Sequence, residues 1–213
     1  LLPTETNFIT SHAKLLKDTI EKSGQNLEDF LKNFRILFSA HGLPQKVIDK
    51  GDPYVYQVEK TLDATIEKLQ ELFKNDHQEI APGLDFKLCF QSKVGPLKWT
   101  SPSLATEVKR AALDKKSLII VPIAFVSEHS ETLVELDIEY KKLATELGVK
   151  DYFRVPALNI DADFIKGLAD LCLKAANNNS SPWLVVASKD YVLLVFANVL
   201  IAIINFKYDL CRF

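Results

Sequence analysis

Short apolar runs of β type alternate along this chain with longer stretches of helical period, and this alternation restricts the fold more than any other feature. The runs are 34–40, 85–91, 117–123 and 152–155. Between and beside them lie amphipathic stretches at 7–22, Leu104–Leu113, 130–147 and 161–175. Another begins at Asp52-Pro53 and places Val55, Val58, Leu62, Ile66, Leu69 and Phe73 on one face. Strands separated by helices of more than ten residues build βαβ units. The spacing therefore predicts an α/β domain: a doubly wound, four-stranded parallel sheet flanked by helices.

Right-handed crossovers bring the carboxyl ends of such strands to one edge, and ligands bind in the crevice beyond it. His41 falls at that edge, with the small residues Ala40 and Gly42 on either side. Its imidazole can accept a proton or ligate a metal near neutral pH. The loop 92–99, the corner 128–131 and the segment 156–159 reach the same edge. On an α-helix, Glu131, Glu135 and Glu139 would form one stripe, and Leu133, Leu136, Tyr140, Leu143 and Leu147 a separate apolar face. Like charges at this spacing weaken a helix, so the stripe suits attraction of a cation or passage of protons. Trp99 follows a loop stiffened by Gly95 and Pro96 and offers a flat apolar face to an aromatic ligand. A solvated acidic face, a satisfied structural histidine and a core tryptophan are the competing readings of these residues.

Several classes are excluded. A net charge of −2 leaves no basic footprint for nucleic acid. Cys89, Cys172 and Cys211 have no CxxC spacing, which argues against a disulfide framework or structural zinc and points to a reducing, cytoplasmic setting. His129-Ser130-Glu131 mimics the H-x-E of zinc deaminases but lacks their P-C-x-x-C. No G-x-G-x-x-G, G-x-S-x-G or P-loop lysine is present. The chain contains no methionine and opens with Leu-Leu-Pro rather than a signal peptide, so a fragment lacking its N-terminal part is expected. The expected organisation is a domain over 1–176, a polar linker over 177–182 and an apolar tail over 183–213. Within the tail, 191–206 carries no charge. It is slightly shorter than the about 17–20 residues of a span, with Trp183, Lys207 and Tyr208 as interfacial anchors. It is read as a membrane-inserted or membrane-docked segment, with a packed tail as the alternative.

The motifs SAHGLP at 39–44, GDPY at 51–54, QSKVGPLKW at 91–99 and VPIAFVSEHSETLVELDIEY at 121–140 together resemble the ferrochelatase family, in order and at matching spacing. The resemblance runs from about Pro3 to Ala175. It implies one half of a two-domain chelatase fold and a lyase that inserts Fe2+ into protoporphyrin IX as two pyrrole protons leave, forming haem. It assigns His41 and Glu131 as the catalytic pair, and His41, Glu131, Glu135 and Glu139 to the metal. Ser39, Trp99, Phe125 and His129 are assigned to the porphyrin pocket. Iron is then a substrate, no cofactor is permanently bound, and the cysteine spacing gives no [2Fe–2S] cluster. The implied partners are protoporphyrin IX, ferrous iron and an N-terminal domain, with membrane association through the tail. The sequence departs from the family at Trp99-Thr100-Ser101-Pro102, where Trp-Leu usually precedes the proline. The alternatives are a chelatase for another metal or tetrapyrrole, a non-catalytic half that binds porphyrin or metal, and a membrane-tethered interaction domain.

Overall fold

The computed structural model describes residues 3–80 and 83–177. The order of elements is α1 (Thr6–Lys22), α2 (Leu27–Asn33), β1 (Phe34–His41), α3 (Gln45–Asp49), α4 (Tyr54–Asn75), β2 (Phe86–Gln91), α5 (Leu104–Leu113) and β3 (Ser117–Pro122). A π-helix (Glu131–Tyr140), α6 (Lys141–Glu146), β4 (Tyr152–Arg154) and α7 (Ala162–Asn177) follow. Contacts divide the chain into two units, Leu1–Phe164 and Ile165–Phe213. Of the second, only the continuation of α7 lies among the described residues.

All three strand pairings are parallel, in the order β2-β1-β3-β4, as the alternation predicts. Because side chains alternate across a strand, each strand feeds two cores. Ile36, Phe38, Ala40, Phe90, Ile119 and Val121 face one, with Ala13, Leu16, Leu62, Ile66 and Leu69 from α1 and α4. Leu37, Cys89, Leu118 and Ile120 face the other, with Leu104 and Val108 of α5, Leu136 of the π-helix and Ala144 of α6. Both faces are covered, which is why β1 and β3 read as nearly unbroken apolar runs. The same alternation fixes the site, since Ser39 and His41 share the face of Leu37 and point to the side of the π-helix.

Helix ends follow local chemistry. Glu5, Asn26 and Ser103 accept a backbone N–H and cap α1, α2 and α5. At the start of α4 the Asp52 carboxylate accepts from Tyr54 N at 2.9 Å. After α6, Gly148 takes φ +80°, the left-handed conformation that glycine adopts without strain.

Two expectations are corrected. The short helices α2 and α3 were not anticipated, because each is too brief to display a period. The stretch 130–147 is not a uniform α-helix but a π-helix followed by α6. A π-helix bonds i to i+5 and winds less angle per residue, so the expected apolar face breaks up. Thr132, Leu136 and Ala144 are buried, whereas Leu133, Val134, Ile138 and Leu147 are exposed. Among the described residues no helix is long and apolar enough to cross a membrane. The 191–206 run and the tail around it lie outside the described residues.

Candidate active site

The β order changes direction at β1 and β3: their carboxyl ends lead into chain on opposite sides of the sheet, opening a crevice between them. His41 closes β1 and the loop 123–130 leaves β3. The edge where such sheets bind ligands therefore carries both the imidazole and the first turn of the π-helix.

His41 Nδ1 lies 2.6 Å from the Gly42 carbonyl oxygen. A carbonyl only accepts, so Nδ1 carries the proton and donates. In the neutral ring the lone pair is then on Nε2, which stands 3.4 Å from Glu131 Oε1. This is the arrangement of a histidine prepared for a metal or a proton, with its second nitrogen oriented by a backbone carbonyl. An imidazole lone pair and a carboxylate oxygen this close repel unless a cation or a proton lies between them. Both side chains remain partly open to solvent, so a ligand can reach them.

The backbone of His41 is anchored from α4. Tyr54 Oη donates to the His41 carbonyl at 3.0 Å. Burial pushes the Tyr54 hydroxyl up to about 12, so it stays a donor through the neutral range. The GDPY motif thus has a physical role: Asp52 caps the helix, Pro53 presets its entry, and Tyr54 ties α4 to the end of β1. Sequence reasoning had not singled out Tyr54.

Glu131 is held by its own backbone. Its N–H donates to His129 Nδ1 at 3.1 Å and its carbonyl accepts from Gln91 Nε2 at 2.9 Å. His129 therefore supports the start of the π-helix, with its ring 5.3 Å from that of the buried Phe125. Gln91 is buried, and its own carbonyl oxygen accepts from the buried Ser39 hydroxyl at 2.7 Å. Ser39 thus reaches the site through Gln91 rather than by facing the crevice.

Glu135 is engaged throughout. Its carboxylate accepts from Gln91 Nε2 at 2.8 Å, from Ser92 N at 2.8 Å and from Ser92 Oγ at 2.6 Å. Ser92 adopts φ +62°, which is costly for a residue with a Cβ; the two bonds to Glu135 hold it there. Glu139 is exposed and takes no hydrogen bond or ion pair among the described residues. The acidic stripe therefore resolves into different environments: Glu131 at the histidine, Glu135 clamped to β2, and Glu139 in solvent. Among the described residues no group of three or more His, Cys, Asp or Glu is placed to enclose a metal.

Trp99 stands beside His41 with ring centroids 6.5 Å apart, and its indole N–H is buried without a partner. It is carried by an arm in which Gln45 N donates to the Lys98 carbonyl and Thr100 N to that of Leu43. Gly42 belongs to this close fit: a Cβ there would lie 3.0 Å from Gln91 O and 3.2 Å from Trp99 Cε3.

A second set of residues was missed by sequence reasoning. Arg154 at the end of β4 donates through Nε and Nη2 to both oxygens of Asp137, at 2.6 and 2.7 Å, and through Nη1 to Glu128 Oε1 at 2.8 Å. Burial raises the Glu128 carboxyl, but bonds from Thr132, Arg154 and Ala157 outweigh it and hold the group below its ordinary range. A lone arginine closing a short strand opposite an acid-rich segment was the signal available in the sequence.

Comparisons with known proteins identify what the chain is similar to. The family model described as ferrochelatase matches residues 2–176. A ferrochelatase of Rickettsia bellii (strain OSU 85-389) is 46% identical over 186 residues, covering 87% of this chain and 47% of that protein. One of Pelagibacter ubique (strain HTCC1062) is 48% identical over 172 residues, covering 81% and 45%. One of Caulobacter vibrioides (strain NA1000 / CB15N) is 48% identical over 167 residues, covering 78% and 44%. The chain spans about half the length of the curated relatives it matches.

Proposed function

The chain belongs to the ferrochelatase family, a family of metal-chelating enzymes, and from that premise we propose that its crevice serves the insertion of Fe2+ into protoporphyrin IX, a lyase-class reaction of haem synthesis. The observation that carries this reading is the pair His41 Nε2 and Glu131 Oε1, two acceptors 3.4 Å apart with the imidazole proton committed to Gly42 on the far side.

Metallation exchanges two pyrrole protons for one dication, so the site must offer basic atoms and a place for a cation at the same face. His41 Nε2 takes a pyrrole proton and Glu131 accepts or stabilises the second. Before exchange, the same two atoms are the protein ligands that meet the metal. Two protein ligands leave coordination positions for the four tetrapyrrole nitrogens, as a metal in transit requires. Trp99 supplies an apolar face beside His41 on which the macrocycle lies, and Phe125 and His129 line its far side. Glu139, unengaged and exposed, draws cations toward Glu131, while Glu135 holds the helix that carries them. Iron and protoporphyrin are substrates, and no permanently bound cofactor or [2Fe–2S] cluster is assigned. The reading extends to a cytoplasmic setting, to an N-terminal domain completing the porphyrin pocket, and to membrane contact through the charge-free 191–206 run.

The test is Zn2+ insertion into a water-soluble porphyrin by this chain, followed by absorbance, beside calorimetric Zn2+ binding. Insertion and binding that disappear in His41→Ala and Glu131→Gln are the expected result. Equal behaviour of wild type and His41→Ala would remove the pair from the mechanism.

A further inference from the structure

We propose that Arg154 is the positioning residue that sets the π-helix so that Glu131 meets His41; the proposal rests on the reading of that pair as a metal and proton site. A π-helix of ten residues is uncommon, because its wider winding is less favourable than an α-helix and survives where the surroundings impose it. Something outside the helix must select this winding.

Two sets of contacts do so. From β2, Gln91 and Ser92 hold Glu135. From β4, Tyr152 Oη donates to the Leu136 carbonyl at 2.8 Å, and Arg154 grips Asp137 with a two-pronged fork. The guanidinium also reaches past the start of the helix to Glu128, whose Oε1 accepts in addition from Ala157 N at 2.9 Å. One side chain thus binds a carboxylate on each side of Glu131 in sequence, and it is only 11% exposed while doing so.

The consequence follows from rotation about the helix axis. Relaxation of this segment toward α-helical winding would change the angle between Glu131 and Asp137. Glu131 could then leave the face of His41 while Asp137 stayed near β4, or the reverse. The Arg154 fork and its bond to Glu128 fix both ends of the interval, so the bearing of Glu131 is set. Arg154 also neutralises two carboxylates of the acidic segment, Glu128 and Asp137. Lysine would keep the charge but not the planar, two-pronged grip.

The experiment is a Co2+ titration of the full chain, read by the visible absorption of the bound ion, on wild type, Arg154→Lys, Asp137→Asn and their double variant, with His41→Ala and Glu131→Gln as references and thermal melts as a fold check. Each single variant should weaken Co2+ binding about tenfold or more, the usual range for removing an outer partner of a metal ligand. The double variant should be no weaker than the worse single one, because both changes remove the same Arg154–Asp137 fork. Should Arg154→Lys fail to fold, Asp137→Asn alone decides. Wild-type affinity in folded Arg154→Lys or Asp137→Asn, with binding lost in Glu131→Gln, overturns the proposal, as does simple additivity of the two. Co2+ binding unchanged in His41→Ala would instead reject the reading of the site on which it rests.

Discussion

Ser92 donates both its backbone N–H and its hydroxyl to the carboxylate of Glu135, at 2.8 and 2.6 Å. The bonds join the end of β2 to the π-helix and keep Ser92 in a left-handed conformation. Hydrogen bonds to a charged group contribute about 1.5–3 kcal/mol. Glu135→Gln keeps the shape but loses the charge and turns an amide N–H toward existing donors. It should lower stability by about 2 kcal/mol in urea unfolding, and it should weaken Zn2+ binding at His41–Glu131 through the helix that Glu135 holds. An unchanged unfolding midpoint would show that the charge of Glu135 does not stabilise the fold.

Tyr54→Phe removes the hydroxyl that supports the His41 carbonyl. The expected loss is about 1 kcal/mol of stability, with a larger relative loss in Zn2+ insertion, because the end of β1 that carries the imidazole loses its tie to α4. Insertion that falls only in step with stability would argue that Tyr54 supports the fold and not the histidine.

Gly42→Ala tests packing rather than backbone freedom. The added methyl would meet a backbone oxygen and the Trp99 ring at 3.0 and 3.2 Å, and the backbone oxygen has little room to move. Overpacking of this kind costs about 1–3 kcal/mol. Displacement of the indole should shift the fluorescence of Trp99, best read with Trp183 replaced by Phe. An unshifted spectrum with full stability would mean that the arm carrying Trp99 yields freely.

His12 gives the fold a pH dependence. It is fully buried beside Phe8, and burial, opposed only by nearby Asp161, pushes its pKa down to about 4. The folded state therefore keeps His12 neutral while the unfolded chain takes up a proton below about 6.5. The unfolded state binds more protons in that interval, so stability is fully present above about 6.5 and falls as pH drops toward 4. Between pH 7.5 and 5 the loss should be about 2 kcal/mol. In His12→Leu that part of the dependence should vanish, which urea unfolding at the two pH values would measure. Parallel profiles for both proteins would show that His12 is not the group concerned.

The parallel sheet, its flanking helices and the edge at which chemistry gathers were legible in the sequence, because they depend on which residues are apolar and on their period. Runs such as 118–123 are apolar at every position, and only a strand covered on both faces meets that pattern economically. His41 was legible as a polar residue just beyond such a run, and Glu131 as the start of an acidic stripe, but their pairing came only from the family resemblance. Other features were not. The π winding arises from contacts made by Gln91, Ser92, Tyr152 and Arg154, which lie far from it in sequence. Local periodicity therefore pointed to an α-helix and to an apolar face that includes the exposed Leu133. The different environments of Glu131, Glu135 and Glu139 have the same origin. Three identical side chains at equal spacing carry no local sign of which one meets a histidine, which one a serine and which one water. Composition and spacing determined the fold class and the edge of the sheet that holds the site. Tertiary contacts decided how the acidic helix is wound, and so which carboxylate faces His41, because that bearing is fixed by hydrogen bonds between segments that only folding brings together.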